Sequence, residues 1–86
     1  MAELTVSVVS ADSEVWAGSA KQIVARTTEG EIGILPGHEP ILAILAAGEV
    51  RVTTVDGSVV TANAEDGFLS VQDNTVTVVA RAASLV

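Results

Sequence analysis

Turn-forming residues recur along this chain at roughly ten-residue intervals, the spacing of short strands in all-β folds. The segments between them alternate in polarity instead of repeating at helical spacing. Leu4, Val6 and Val8 alternate with Thr5 and Ser7; Val76, Val78 and Ala80 alternate with Thr75, Thr77 and Val79. A period of two sends successive side chains to opposite faces, so each segment reads as a strand. With no convincing long helix, the expected fold is a β-sandwich or barrel.

Residues 11–13 look like a turn, and 14–28 read as extended with a break near Gly18. Ile23 and Ala25 would then face opposite to Val24 and Arg26. Glu29-Gly30 turns the chain, a short strand follows, and Pro36-Gly37 turns it again. Pro40 keeps Glu39 out of helical angles. Residues 41–47 are uniformly apolar, which suits a buried strand and two helical turns equally, and Gly48 closes them. A hairpin is expected over 50–62 around Asp56-Gly57, a dipeptide favoured in two-residue type I′ turns. Glu65-Asp66-Gly67 and Asp73-Asn74 supply the last turns. The alanine-rich residues 81–86 either begin a helix or fray.

Eighty-six residues make one domain, 1–86, at the small end of what folds alone. Trp16 and Phe68 are the only aromatic residues. A core of small aliphatics leaves little room for a deep cavity, which disfavours a small-molecule enzyme. Eleven acids against Lys21, Arg26, Arg51 and Arg81 give a net charge of −7. Nucleic acid and anionic membrane are disfavoured partners, because both are held by basic side chains. A basic protein surface is the attractive alternative. The absence of cysteine excludes disulfides, thiolate nucleophiles and cysteine metal ligands. The start, MAELTVSVV, lacks the basic residues and apolar core of a signal peptide. The run 41–47 falls far short of the ~20 residues that span a bilayer, so no direct membrane insertion is expected.

Candidate chemistry is sparse. His38 titrates near neutrality when unperturbed, but no nucleophile is placed beside it, and a docking or structural role suits it better. Glu65, Asp66 and Asp73 offer carboxylates for a metal, yet acids beside a glycine more often mark a turn. Gly30, Gly33 and Gly37 lack the Gly-Lys-Ser/Thr and helix start of a phosphate loop. Catalytic, cofactor and metal residues are therefore expected to be none. Glu29 and Glu31 flank a turn glycine and present an acidic knob suited to arginine on a partner. Residues 41–47 are mostly core, with part available to a permanent apolar interface.

The segment GEIGILPGHEPILAIL resembles the region of the F-type ATP synthase epsilon subunit that reads EGE-hydrophobic-Gly-hydrophobic-x-PGH-x-P-hydrophobic. The order of its flanks is similar too: LTVSVVSADSEVWAGSAKQIVARTTEGE before it, GEVRV and DGFLSVQDNTVTVVA after it. The resemblance covers essentially the whole chain. It implies the N-terminal domain of that family, a flattened all-β sandwich of about ten mostly antiparallel strands. It implies a non-catalytic rotor-stalk component, bound side-on to the gamma subunit and resting on the c-subunit ring. Such a part couples proton-driven rotation to ATP synthesis and is held at the cytoplasmic side of the cell membrane by its partners. By position, Glu29, Gly30 and Glu31 match the family loop facing the c ring, and His38, Leu42 and Ala43 lie near the gamma contact. Two departures stand out. Glu65-Asp66-Gly67 replaces a paired glycine common in the family, and no residues match the usual C-terminal helical hairpin. The hairpin's ATP binding and restraint of hydrolysis are accordingly not expected here. The competing reading is a free-standing β-sandwich that recognises a small ligand or unrelated protein through a polar-rimmed pocket.

Overall fold

The computed structural model describes residues 3–11 and 13–85, and in these it contains six β-strands and no helix. They are β1 (Leu4–Val9), β2 (Glu14–Thr27), β3 (Gly30–Ile34), β4 (Ile41–Thr54), β5 (Val59–Gln72) and β6 (Thr75–Leu85). Hydrogen bonding runs β1-β6-β5-β4-β2-β3, and β1 also pairs with the first half of β2. The second pairing closes β1, β6, β5, β4 and β2 into a five-stranded barrel, with β3 attached outside β2. All pairs are antiparallel except β1 with β6.

The all-β expectation holds, but the count of about ten strands is corrected to six. Four of the six strands are long, and each changes its buried face partway along. In β2 the inward side chains are Trp16 and Ala20, then Ile23 and Ala25; a bulge between Ala20 and Gln22 makes the switch. In β4 the inward set passes from Leu45 to Val50 and Val52, and in β5 from Ala62 and Ala64 to Leu69 and Val71. In β6 it passes from Val76, Val78 and Ala80 to Ala83. Each long strand thus presents two alternating segments while its backbone ladder continues. Hydrogen bonding joins the two segments of each long strand into one, which gives six strands.

The same switches correct several local expectations. Glu65-Asp66-Gly67 is no turn: β5 runs through it, with Asp66 at φ 57° supplying the kink. Gly67 faces β6 so closely that an added Cβ would meet the Val79 carbonyl oxygen at 1.8 Å. Gly48 does not close the apolar run, which is strand from its first residue and continues to Thr54. Gly18 does not interrupt β2; the Trp16 ring lies over its bare Cα instead. Residues 81–85 neither fray nor coil but extend β6 against β5, with Leu85 opposite Ala62. The 11–13 turn includes Asp12, which lies outside the described residues, as does Val86.

The type I′ turn is at Asp73-Asn74, whose φ values are 50° and 60°, and not at Asp56-Gly57. Between β4 and β5 only Gly57 has positive φ, at 94°. The Gly57 N–H donates to the Thr54 carbonyl at 3.0 Å, which makes a three-residue loop ending in a glycine bulge. Asp56 holds that shape by accepting from the Thr54 hydroxyl and, at 3.0 Å, from the Ser58 N–H. These two bonds, the Thr54 hydroxyl first, hold the exposed Asp56 carboxyl below the usual aspartate range.

The core sits between the halves. Leu4, Val6 and Val8 from β1, Val76 and Val78 from β6, and Leu69 and Val71 from β5 line one wall. Ile23, Ile34, Val50 and Val52 line the other. No buried side-chain nitrogen or oxygen is left without a hydrogen bond among the described residues.

Candidate docking surface

The wall formed by the first halves of β4 and β6, the second half of β5 and β1 turns an uncharged outer face to solvent. The register fixes its rows. Ile44 stands opposite Phe68, Phe68 opposite Val79, and Val79 opposite Val9. The next row is Leu42, Ser70, Thr77 and Ser7, and the third is Gln72, Thr75 and Thr5. An apolar row spans four strands, about 14 Å at ordinary strand spacing, and grades into a hydroxyl field. Leu42 is 70% exposed, Ile44 58% and Phe68 38%. In a chain of net charge −7, a face with no ionisable group in its three rows is a compositional anomaly. Depletion of charge at the centre marks protein interfaces, and exposed apolar area of this kind marks docking sites.

Two turns border this face. The Thr28 N–H donates to the Ile44 carbonyl at 3.0 Å, which sets the acidic turn against the β4 edge of the apolar row. Within that turn the buried Thr27 hydroxyl donates to the Gly30 carbonyl at 2.7 Å and accepts from the Glu29 N–H at 3.1 Å. Glu29 and Glu31 are both exposed. At the hydroxyl end, the Gly37 N–H donates to Asn74 Oδ1 at 2.7 Å and pins the proline-glycine turn to the β5–β6 turn. His38 lies there, with Nδ1 donating to the Glu39 carbonyl at 2.7 Å.

The sequence-predicted residues divide on this geometry. Leu42 points outward on the uncharged face. Ala43 is its neighbour in an extended strand, so it points inward, opposite the fully buried Leu69. His38 sits beyond the end of the strand. Ile44, Phe68, Val79 and Val9 were missed. For Ile44 the signal was present in residues 41–47: an uninterrupted apolar run in a strand means both faces are covered. The reading of the run as mostly core with part available to an interface allowed for this face but did not single out Ile44.

Other chemistry does not assemble. Glu65 and Asp66 sit at the β5 kink and Asp73 at the β5–β6 turn, so the second half of β5 separates them. Among the described residues no three histidines or acids converge on a metal-sized site. An open groove of about 580 Å³ is bordered by Ser10, Asn63, Arg81 and Ser84. It lacks enclosure, and His38 does not border it. No helix of the described residues is long and apolar enough to cross a membrane.

The chain is similar to known proteins along nearly its whole length. The family described as "ATP synthase, Delta/Epsilon chain, beta-sandwich domain" matches residues 3–86. The chain is 53% identical to the ATP synthase epsilon chain of Micrococcus luteus over 85 residues, covering 99% of this chain and 93% of that one. It is 49% identical over 84 residues to the epsilon chain of Streptomyces coelicolor, covering 98% and 68%. Among solved structures, a chain of the Euglena gracilis mitochondrial ATP synthase superposes with a TM-score of 0.92 at 28% identity. This chain is 99% covered in that match and spans 54% of the Euglena chain. A chain of the Tetrahymena thermophila enzyme's central stalk and c-ring structure shares the fold at TM-score 0.74 and 18% identity.

Proposed function

Because the chain belongs to the ATP synthase delta/epsilon chain β-sandwich family, we propose that it works as the rotor-stalk part that joins the gamma subunit to the c-subunit ring. It is a non-catalytic subunit of that complex. In this reading the uncharged face of Leu42, Ile44, Phe68 and Val79 packs against gamma, with His38 at the margin of the contact. The acidic turn of Glu29, Gly30 and Glu31 rests on the polar loops of the c ring. Rotation driven by proton flow is then passed to the catalytic head through a rigid β-barrel held from two sides. The subunit stays at the cytoplasmic side of the membrane through these partners.

The observation that supports this reading most is the charge-free apolar row. Permanent interfaces are built from such surface, whereas a free monomer gains solubility by breaking it with charge. A stiff, closed sheet also suits a part that transmits torque. The test is co-purification of this chain with gamma, with and without Ile44→Lys. Capture of gamma by the unmodified chain and its loss in the variant supports the reading. Equal capture by both variants, or none by either, rejects it.

A further inference from the structure

The proline-glycine turn is tied to the docking wall at one point. His38 N–H donates to the Leu35 carbonyl at 3.2 Å and Gly37 has φ 88°, which makes residues 35–38 a type II turn. Type I and type II turns differ by reversal of the peptide between their two central residues. The N–H of that peptide belongs to Gly37, and it is the group that donates to Asn74 Oδ1 at 2.7 Å. Among the described residues, the other hydrogen bonds of residues 35–40 stay within the segment. One side chain from the β5–β6 turn therefore holds the orientation of a loop that carries the exposed Leu35 and the half-buried His38.

Asn74 stands where local preference favours another residue. It is the second central residue of a type I′ turn, at φ 60°, a position that glycine fills with least strain. Its carbonyl accepts from the Thr5 N–H at 2.8 Å, a bond that glycine would also make. What asparagine adds is the side-chain acceptor for Gly37. We propose that Asn74 is a positioning residue for gamma binding: acting through the 35–40 turn, it fixes the orientation in which His38 meets the partner. The inference rests on the reading that the uncharged face packs against gamma. It adds how the turn beside that face is kept ready in the free subunit, so that binding does not have to order it.

The test is affinity of the purified gamma subunit for this chain, measured for Asn74→Gly, Asn74→Asp, His38→Ala and the Asn74→Gly/His38→Ala pair, with Ile44→Lys as the control for the docking face. Thermal melts and amide hydrogen exchange at Gly37 are recorded on each free variant. Asn74→Gly keeps the turn and the Thr5 bond, so its melting temperature should not fall. Its Gly37 amide should exchange faster, and gamma should bind about five-fold more weakly, as for one lost hydrogen bond. Asn74→Asp retains the acceptor and should bind within about two-fold of the parent. His38→Ala should weaken binding in the parent and add little in the Asn74→Gly background, because the turn no longer presents the ring. Parent-like affinity or unchanged Gly37 exchange in Asn74→Gly, an equal loss in Asn74→Asp, or equal His38→Ala losses in both backgrounds overturns the inference. The docking reading then still stands if Ile44→Lys abolishes binding. If Ile44→Lys binds gamma as the parent does, the docking reading fails and the inference with it.

Discussion

Gly67 is the position where the structure makes its strongest demand on the sequence. A Cβ built there lies 1.8 Å from the Val79 carbonyl oxygen, 2.5 Å from the Ala80 Cα and 2.7 Å from the Val79 carbonyl carbon. All three are backbone atoms, so no rotamer change relieves the overlap. Ordinary carbon–oxygen contact needs about 3.3 Å, so Gly67→Ala must push β5 and β6 apart by about 1.5 Å at their Gly67–Ala80 pairing. Overpacking of this kind costs about 1–3 kcal/mol, and two weakened ladder bonds add about 1 kcal/mol each. The expected loss is about 3–5 kcal/mol, a large share of the stability of a domain this size. Gly33→Ala is the control: nothing lies within 4 Å of its added methyl, and its φ is not positive. Urea unfolding followed by Trp16 fluorescence compares the two at constant m. Gly33→Ala should stay within about 0.5 kcal/mol of the parent or gain slightly. A Gly67→Ala midpoint no lower than that of Gly33→Ala refutes the close strand approach. The point matters for function, because the β5 kink turns Phe68 outward while Ala64 and Leu69 stay buried.

Three further outcomes follow from the same geometry. Thr27→Val removes both hydroxyl bonds of the acidic turn while keeping the buried shape, and should cost about 1–2 kcal/mol in urea unfolding; an unchanged midpoint would contradict the anchoring role. The Asp56 carboxyl is lowered by its folded-state bonds, so its contribution is complete above the unfolded pKa of about 3.9 and fades as pH falls through the lower folded value. In an NMR titration its midpoint should lie below the ordinary aspartate range and rise in Thr54→Val; a midpoint that ignores that substitution refutes the assignment of cause. Leu42→Glu should abolish gamma binding while leaving the melting temperature nearly unchanged, since Leu42 is 70% exposed in the free subunit; retained binding excludes it from the interface.

Local signals were readable where one residue type decides one feature. Glycine, asparagine and aspartate placed the chain reversals at 28–29, 55–57 and 73–74, and alternation placed the inward residues of β1 and the first half of β6. Continuity was not readable. A bulge near Lys21 and a left-handed Asp66 move the hydrophobic set to the other face without ending a strand. The sequence pattern is the same for that event as for a turn between two strands. Only the continuing β4–β5 and β5–β6 ladders distinguish them. The Asp56-Gly57 turn type was also beyond local reading, because the Thr54 and Ser58 bonds to Asp56 select its conformation. The docking face was half legible. The 41–47 run announced apolar surface, and the acidic turn followed from Glu29-Gly30-Glu31. Phe68, Val79 and Val9 join Ile44 only through the register of four strands, one of them parallel, and no segment taken alone encodes that row.

The central claim is that the uncharged face is the gamma-binding surface. Hydroxyl-radical footprinting of this subunit, free and bound to gamma, tests it directly by reading side-chain exposure residue by residue. Leu42, Ile44 and Phe68 should react in the free subunit and be protected in the complex. Val55 and Val59, 52% and 60% exposed at the β4–β5 hairpin, should react equally in both. Protection of Val55 and Val59 with Leu42, Ile44 and Phe68 still reactive would place gamma on another surface and contradict the account.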